Sequence, residues 1–364
     1  MGIPETSPSG PAAESLRRPG SAGTAPPGGR RAGLERETDR LFHALGHLGW
    51  VREECGLFAP LTLEIRRLKE EAGATILAHS YQTPDILYGI ADFRGDSLQL
   101  SIEASKTSAD VIVFCGVRFM AETAKILSPE KRVLLPAPDA GCSLDESITA
   151  ADVRRLRRQY PDAAVVCYVN TTAAVKAEST VCCTSANGLE IVEGIPERQV
   201  LFVPDQLMGK NLQARTKKEI IPWGGTCIVH ETFTPESLQA HRKHFPDAEI
   251  LVHTECNPDV VAGADLAGGT GDMIRHIKNS SSRRFMLVTE CGLADRLRVE
   301  FPDREFVGTC VLCPHMKKTE LRKVMEVLTD PGPDQIIEVE ESVRIRAKRT
   351  LDRMFEITSR SLPA

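Results

Sequence analysis

Residues 109–143, ADVIVFCGVRFMAETAKILSPEKRVLLPAPDAGCS, hold a complete strand–helix–strand unit. VIVFCG (111–116) is a short apolar run rich in β-branched residues, the pattern of a strand buried on both faces. Gly116 ends it. Met120, Ala124 and Leu127 follow at helical spacing, and Ser128-Pro129 stops that helix. VLLP (133–136) reads as the next strand, and the loop after it carries Pro136, Pro138, Gly141 and Cys142. A thiol just past the C-terminal end of a parallel strand stands where open α/β sheets bind ligands. The fold class is therefore α/β.

The surrounding 364 residues are 41% hydrophobic with a net charge of −5, enough apolar material for two or three domains and no basic stripe for nucleic acid. No apolar run reaches the roughly 18 residues of a membrane span, and no secretory h-region opens the chain, so a cytoplasmic protein is expected. Eleven cysteines, an odd count at wide spacing, argue against a disulfide framework. Cys115, Cys167 and Cys182 lie in apolar runs and read as small buried hydrophobes.

Residues 1–33 are Gly-, Pro-, Ala- and Ser-rich with scattered Arg, a composition that buries too little to offset its ordering entropy, and read as a disordered extension. Helices are expected over 34–48 and 61–72. ATILAHSY (74–81) opens the α/β rhythm, and Gly95-Asp96-Ser97 opens a helix whose N-terminus suits either an anion or a plain N-cap. Three basic or charged helices end on an aromatic-Pro-Asp turn before a strand, at Tyr160, Phe245 and Phe301, which suggests related units despite unequal intervals of 85 and 56 residues. The pattern divides the chain into a first α/β domain (34–144, with the C-terminal segment 335–361 packing back on it), a second (145–228) and a third (229–334). In the C-terminal segment Val343, Ile345, Leu351, Met354 and Phe355 are the expected buried face.

Seven strand ends carry polar residues that a strand does not need: His79/Tyr81, Cys142, Tyr168/Asn170, Thr184/Ser185/Asn187, Cys227/His230, His253/Glu255 and Cys313. Among them Cys142, Cys227 and Cys313 are 85 and 86 residues apart, each beside a Gly- or Pro-bearing turn. Equal units delivering one thiolate each would make a three-cysteine metal site. On a [4Fe–4S] cluster that leaves one iron without a protein ligand. Zinc sites instead use four ligands paired at short spacing. Cys310-x-x-Cys313 is the one short pair, open to a redox role.

ILAHSYQTPDI, ADFRGDSLQL, FMAETAKIL, YVNTTAAVKAE, CCTSAN, CIVH, VHTEC and CPHMKK, in that order between about residues 74 and 355, resemble the segments of the quinolinate synthase family. The resemblance implies three similar three-layer α/β/α domains with short parallel sheets about a pseudo-threefold axis. It implies a [4Fe–4S] cluster held by Cys142, Cys227 and Cys313, and the condensation of iminoaspartate with dihydroxyacetone phosphate to quinolinate in de novo NAD synthesis. Tyr81 and Glu255 match acid/base positions, with His253 beside them. His79 and His253 match positions that hold carboxylate or phosphate. Ser97, Tyr168, Val169, Asn170, Ser185, Thr254 and Thr270 match further substrate contacts, and His230 is expected only to support a ligand. The enzyme that supplies iminoaspartate is an implied partner; nucleic acid and membrane are not. Gly269 stands where the family often has Ser. Two other readings stay open: another [4Fe–4S] hydro-lyase, and a redox or metal sensor using Cys310 and Cys313.

Overall fold

The computed structural model describes residues 27–361. Its twelve strands form three four-stranded sheets, each held by parallel pairings. The first contains β1 (Ala74–His79), β2 (Phe93–Gly95), β3 (Val111–Cys115) and β4 (Arg132–Leu134), in the order β2-β1-β3-β4. The second contains β5 (Ala164–Tyr168), β6 (Val181–Cys183), β7 (Gln199–Val203) and β8 (Glu219–Pro222), in the order β6-β5-β7-β8. The third contains β9 (Glu249–His253), β10 (Leu266–Gly268), β11 (Arg284–Val288) and β12 (Glu305–Val307), in the order β10-β9-β11-β12. The three sheets thus share one connectivity, with helices on their faces.

The central strands are apolar and buried almost end to end, as sheets covered on both faces require. The unit read from residues 109–143 is β3, the helix Arg118–Leu127 and β4. Cys115, Cys167 and Cys182 are fully buried in β3, β5 and β6, as expected. The helices Ala150–Gln159, Pro235–His244 and Gly292–Glu300 end on Tyr160, Phe245 and Phe301, whose backbones agree within a few degrees: φ/ψ −129/72, −127/72 and −132/70. A following proline keeps each out of the helical region, so the same turn is made three times.

Four boundaries differ from the sequence reading. Residues 27–33 begin the helix Pro27–Leu45, with proline at its first position, where a missing N–H costs nothing; residues 1–26 of the expected extension lie outside the described residues. The expected helix over 61–72 is the second half of Arg52–Glu71. The helix Leu321–Thr329 lies in the expected third domain by sequence but packs on Arg52–Glu71 and β3 of the first. In the C-terminal segment only Gln335–Ile337 pair with the first sheet, through Leu135 N to Gln335 O at 2.8 Å and Ile337 N to Val133 O at 2.9 Å. The helix Glu341–Ser361 lies chiefly against β6, Ala173–Ala177 and Gly188–Gly194 of the second unit, touching the first through Arg118–Leu127. Its buried stripe is Ala347, Leu351, Met354 and Ile357, whereas Ile345 is exposed. Asn187 Nδ2 donates to Thr358 Oγ1 at 3.0 Å on that same face. None of the helices in the described residues is long and apolar enough to cross a membrane.

Candidate active site and cluster site

The C-terminal ends of strands from all three sheets line one cavity. It gathers Tyr81, Glu255, His79, His253, Ser97, Tyr168, Asn170, Ser185, Thr270 and the three cysteines Cys142, Cys227 and Cys313. Val169 and Thr254 are not among its walls. The Val169 carbonyl is taken by buried Lys176 Nζ at 2.8 Å, and Thr254 instead faces a second cavity, between the helices Gly188–Gly194 and Thr270–Asn279.

His79 and His253 end β1 and β9 in the same way. Tyr81 N donates to His79 Nδ1 at 3.2 Å, and Glu255 N donates to His253 Nδ1 at 3.3 Å. A backbone N–H can only donate, so each Nδ1 accepts and each ring proton sits on Nε2. Burial and then neighbouring positive charge push the imidazolium forms down to about 3 in both rings; for His79 the charges are Arg296 and Lys317, for His253 chiefly His230. Both rings are neutral donors at neutral pH.

Glu255 is 3% exposed, and burial alone would raise its carboxyl. His230, His253 and two hydrogen bonds outweigh that and hold it below the usual range. Tyr168 Oη donates to Glu255 Oε1 at 2.5 Å, and His230 Nδ1 lies 2.8 Å from Oε2. The His230 and His253 rings stack at 4.3 Å. His230 Nε2 lies 2.9 Å from Thr289 Oγ1, which lies 2.7 Å from Tyr81 Oη. Burial, first of all, pushes the Tyr81 phenol well up, so it is a neutral O–H. His230 therefore does more than support a ligand: it joins cavity groups from different sheets.

Ser97 and Thr270 each open a ten-residue helix at the cavity. Asp96 caps the first, accepting from Gln99 N at 2.9 Å, so the plain N-cap reading and the cavity position both hold. Gly269 has a steric reason. A methyl there would strike Ser185 Oγ and stand 3.2 Å from Ala186 N, so glycine lets the Ser185 loop close on the Thr270 helix.

The donor set suits an iron–sulfur cluster. Cys142, Cys227 and Cys313 follow β4, β8 and β12, the fourth strand of each sheet, and all three are free, half-buried and on the cavity. Soft sulfur donors with no fourth thiol beside them on the cavity wall match a cluster with one iron left to substrate. Burial raises all three thiols, so ligation would release protons. Cys227, His230 and Glu255 also place donor atoms within 4.8 Å of one another. Cys256 is buried in the core of the third sheet, its thiol 3.7 Å from Val288 O, and is not on the cavity. The short Cys310/Cys313 pair is corrected: Cys310 is disulfide-bonded to Cys291, whose backbone N also donates to Val311 O at 3.2 Å, and Cys313 stays free.

Two groups after β11 escaped the sequence reading: Glu290, which lines the cavity, and Thr289, which lies behind its wall and bonds Tyr81 and His230. Glu290 accepts from Cys313 N at 3.1 Å and Gly292 N at 2.7 Å, and pairs with Lys317 at 2.8 Å, while Lys317 Nζ also donates to the Tyr81 carbonyl. Their signal is the tripeptide Thr-Glu-Cys, which occurs at 254–256 and again at 289–291.

The family model for NadA, quinolinate synthetase A protein, matches residues 63–356. A quinolinate synthase of Sinorhizobium medicae is 46% identical over 324 residues, 89% of each chain. One of Caulobacter vibrioides is 44% identical over 310 residues, 84% of each chain, and quinolinate synthase 1 of Mesorhizobium japonicum is 47% identical over 291 residues, 80% of this chain and 89% of its own. Since the family match spans every strand of the three sheets, the chain belongs to the quinolinate synthetase A family and is an enzyme of the quinolinate synthase type.

Proposed function

We propose that the cavity condenses iminoaspartate with dihydroxyacetone phosphate, releasing phosphate and two waters to give quinolinate for NAD synthesis. The observation that carries this reading is the meeting of three thiols, one after the fourth strand of each sheet, with the Tyr81 phenol and the Glu255 carboxylate in one cavity. Cys142, Cys227 and Cys313 would hold a [4Fe–4S] cluster, whose iron without a protein ligand supplies a Lewis acid to a substrate oxygen.

The chain's own groups divide the remaining work. The Nε2–H groups of His79 and His253 and the hydroxyls of Ser97, Ser185 and Thr270 hold carboxylate and phosphate oxygens. The Asn170 amide adds a donor and an acceptor. Tyr81, a neutral phenol, donates a proton to a departing oxygen. Glu255, an ionised carboxylate, takes protons from carbon or nitrogen. Two dehydrations and the proton shifts between them need both. His79, Tyr81, His253, Glu255 and Thr270 are buried, which limits their contact with bulk water.

The test is anaerobic reconstitution of the full chain with iron and sulfide. About four irons per chain should bind, and phosphate should be released from dihydroxyacetone phosphate only when iminoaspartate is present. Alanine at Cys142, Cys227 or Cys313 should abolish the cluster, and Cys256→Ala should retain it. A cluster-bearing protein that releases no phosphate would favour a different hydro-lyase. A cluster that survives loss of Cys227 would overturn the ligand set.

A further inference from the structure

We propose that Lys317 is a positioning residue for Tyr81, locked by Glu290 to the loop that carries Cys313. The proposal rests on the reading of Tyr81 as the acid given above. Tyr81 follows β1 of the first sheet, whereas Glu290 follows β11 and Lys317 follows β12 of the third. Glu290 Oε1 accepts from Cys313 N at 3.1 Å and pairs with Lys317 Nζ at 2.8 Å, while Oε2 accepts from Gly292 N at 2.7 Å. Lys317 Nζ also donates to the Tyr81 carbonyl, and Lys317 N donates to Cys313 O at 3.2 Å. An ionised carboxylate and a carbonyl can only accept, so the ammonium is what joins Glu290 to Tyr81. Glu290 is 1% exposed, and a carboxylate so buried keeps its charge only with such partners.

Gly292 marks the same meeting point. A methyl there would stand 2.8 Å from Glu290 Oε2, 2.9 Å from the Tyr81 carbonyl oxygen and 3.0 Å from Lys317 Nζ, so glycine lets all three converge. The residues on either side of Tyr81 have their own ties to the third unit. Arg296 Nη1 donates to Ser80 Oγ at 2.7 Å, and Gln82 Nε2 donates to Met316 O at 2.8 Å. The segment therefore stays docked without Lys317. What Lys317 adds is the direction of the Tyr81 carbonyl, and with it the angle at which the phenol enters the cavity. Lys317 does not itself line the cavity, so its effect passes through its neighbours.

Lys317→Met keeps the stem and removes only the ammonium. On reconstituted full-length protein with iron content matched, it should leave KM within about threefold and lower kcat about 10- to 10²-fold, the cost of a group misplaced by about 1 Å. Adding Lys317→Met to Tyr81→Phe should cost less than about threefold, because the phenol it positions is already gone. A role confined to scaffolding the third unit would instead multiply with the loss of the phenol. Glu290→Gln leaves the ammonium without its counter-ion and should also lower kcat, and the two changes together should cost less than their product. A readout independent of turnover is the infrared carbonyl band of Tyr81 in protein labelled with [1-¹³C]tyrosine. Tyr81 is one of four tyrosines, and its band is assigned by its loss in Tyr81→Phe. It should move to higher frequency in Lys317→Met, where the charged donor is gone.

An unshifted band or an unchanged kcat in Lys317→Met, or effects that multiply in either double variant, would each overturn the proposal. If the wild-type protein itself released no phosphate, the functional reading would fail. The Tyr81 band would then still decide the link: no shift in Lys317→Met would refute it.

Discussion

Lys176 is fully buried on the short helix Ala173–Ala177, and its ammonium holds the loop that carries Tyr168 and Asn170. Nζ donates to Val169 O at 2.8 Å and to the Thr171 carbonyl, and lies 5.5 Å from the centre of the Phe119 ring. Lys176→Met keeps the stem and removes both bonds. Two buried carbonyls left unpaired cost about 1–3 kcal/mol each, or about 2–6 together. The relief of no longer burying an ammonium offsets part of that; a net loss of about 2–4 kcal/mol remains. At about 2.1 cal/mol/K of unfolding entropy per residue over the described chain, this lowers Tm by about 3–6 °C. The loop should also lose its fixed position, raising KM about 10-fold, equivalent to about 1.4 kcal/mol, with kcat less affected. Calorimetry and steady-state kinetics at matched iron content check both. A Tm within about 1 °C of wild type together with an unchanged KM would refute the reasoning, since the two carbonyls would then need no cation.

His79 and His253 make stability sensitive to acid: their imidazoles titrate near 6.5 when unfolded and about 3 when folded, so the unfolded chain binds more protons between those limits. Their contribution is complete above about pH 6.5 and falls as pH drops toward 3, by up to about 1.4 kcal/mol per pH unit per ring; urea midpoints at pH 7.5 and 5.5 should separate, and separate less in His79→Gln. Breaking the Cys291–Cys310 bond with serine at both positions should cost about 3 kcal/mol for a closed loop with a sequence separation of 19, seen as a lower denaturation midpoint only against the oxidised wild type. Tyr81→Phe and Glu255→Gln should keep the cluster and lower turnover about 10²–10⁴-fold, whereas Ser185→Ala and Thr270→Val should act mainly on apparent substrate affinity, each through a hydrogen bond to charge worth about 1.5–3 kcal/mol.

The strands and the cavity were legible because they depend on local pattern: apolar runs ended by polar residues that no strand requires. The strand-end histidines, Tyr81, Glu255 and the three cysteines all stand on the cavity for that reason. What escaped depended on distance. Thr289 and Glu290 look like ordinary strand-end residues until Tyr81, His230 and Cys313 approach them from elsewhere in the chain. The docking of Glu341–Ser361 on the second unit is equally non-local: its apolar stripe states that it is covered, not by which sheet. The Cys291–Cys310 bond likewise joins a strand end to a loop beyond the next helix and strand, with no short motif to announce it.

One longer regularity was present but only half seen. The spacing that singled out the cysteines recurs at every strand position of the second and third units. Eighty-five residues separate Tyr168 from His253, Ser185 from Thr270 and Asp205 from Glu290. The first pair ends the first strands of the two sheets, and the other two follow the second and third strands, as Cys227 and Cys313, 86 residues apart, follow the fourth. The aromatic-Pro-Asp turns obscured this period because they mark different places in it. Tyr160 and Phe245 precede first strands, β5 and β9, and lie 85 residues apart, whereas Phe301 precedes a fourth strand, β12. The unequal interval of 56 residues is therefore a change of position within the unit and leaves the period intact. Three copies of one unit place equivalent strand ends around one cavity, so a thiol repeated at one position becomes three thiols on one wall, the proposed ligand set. Positions that differ between copies, such as Tyr81, Asn170 and Glu255 two residues after the first strands of the three sheets, place a phenol, an amide and a carboxylate on the cavity, the proposed acid, polar contact and base. Repetition accounts for the three thiols on the cavity, and divergence within the repeat accounts for the unlike polar groups beside them.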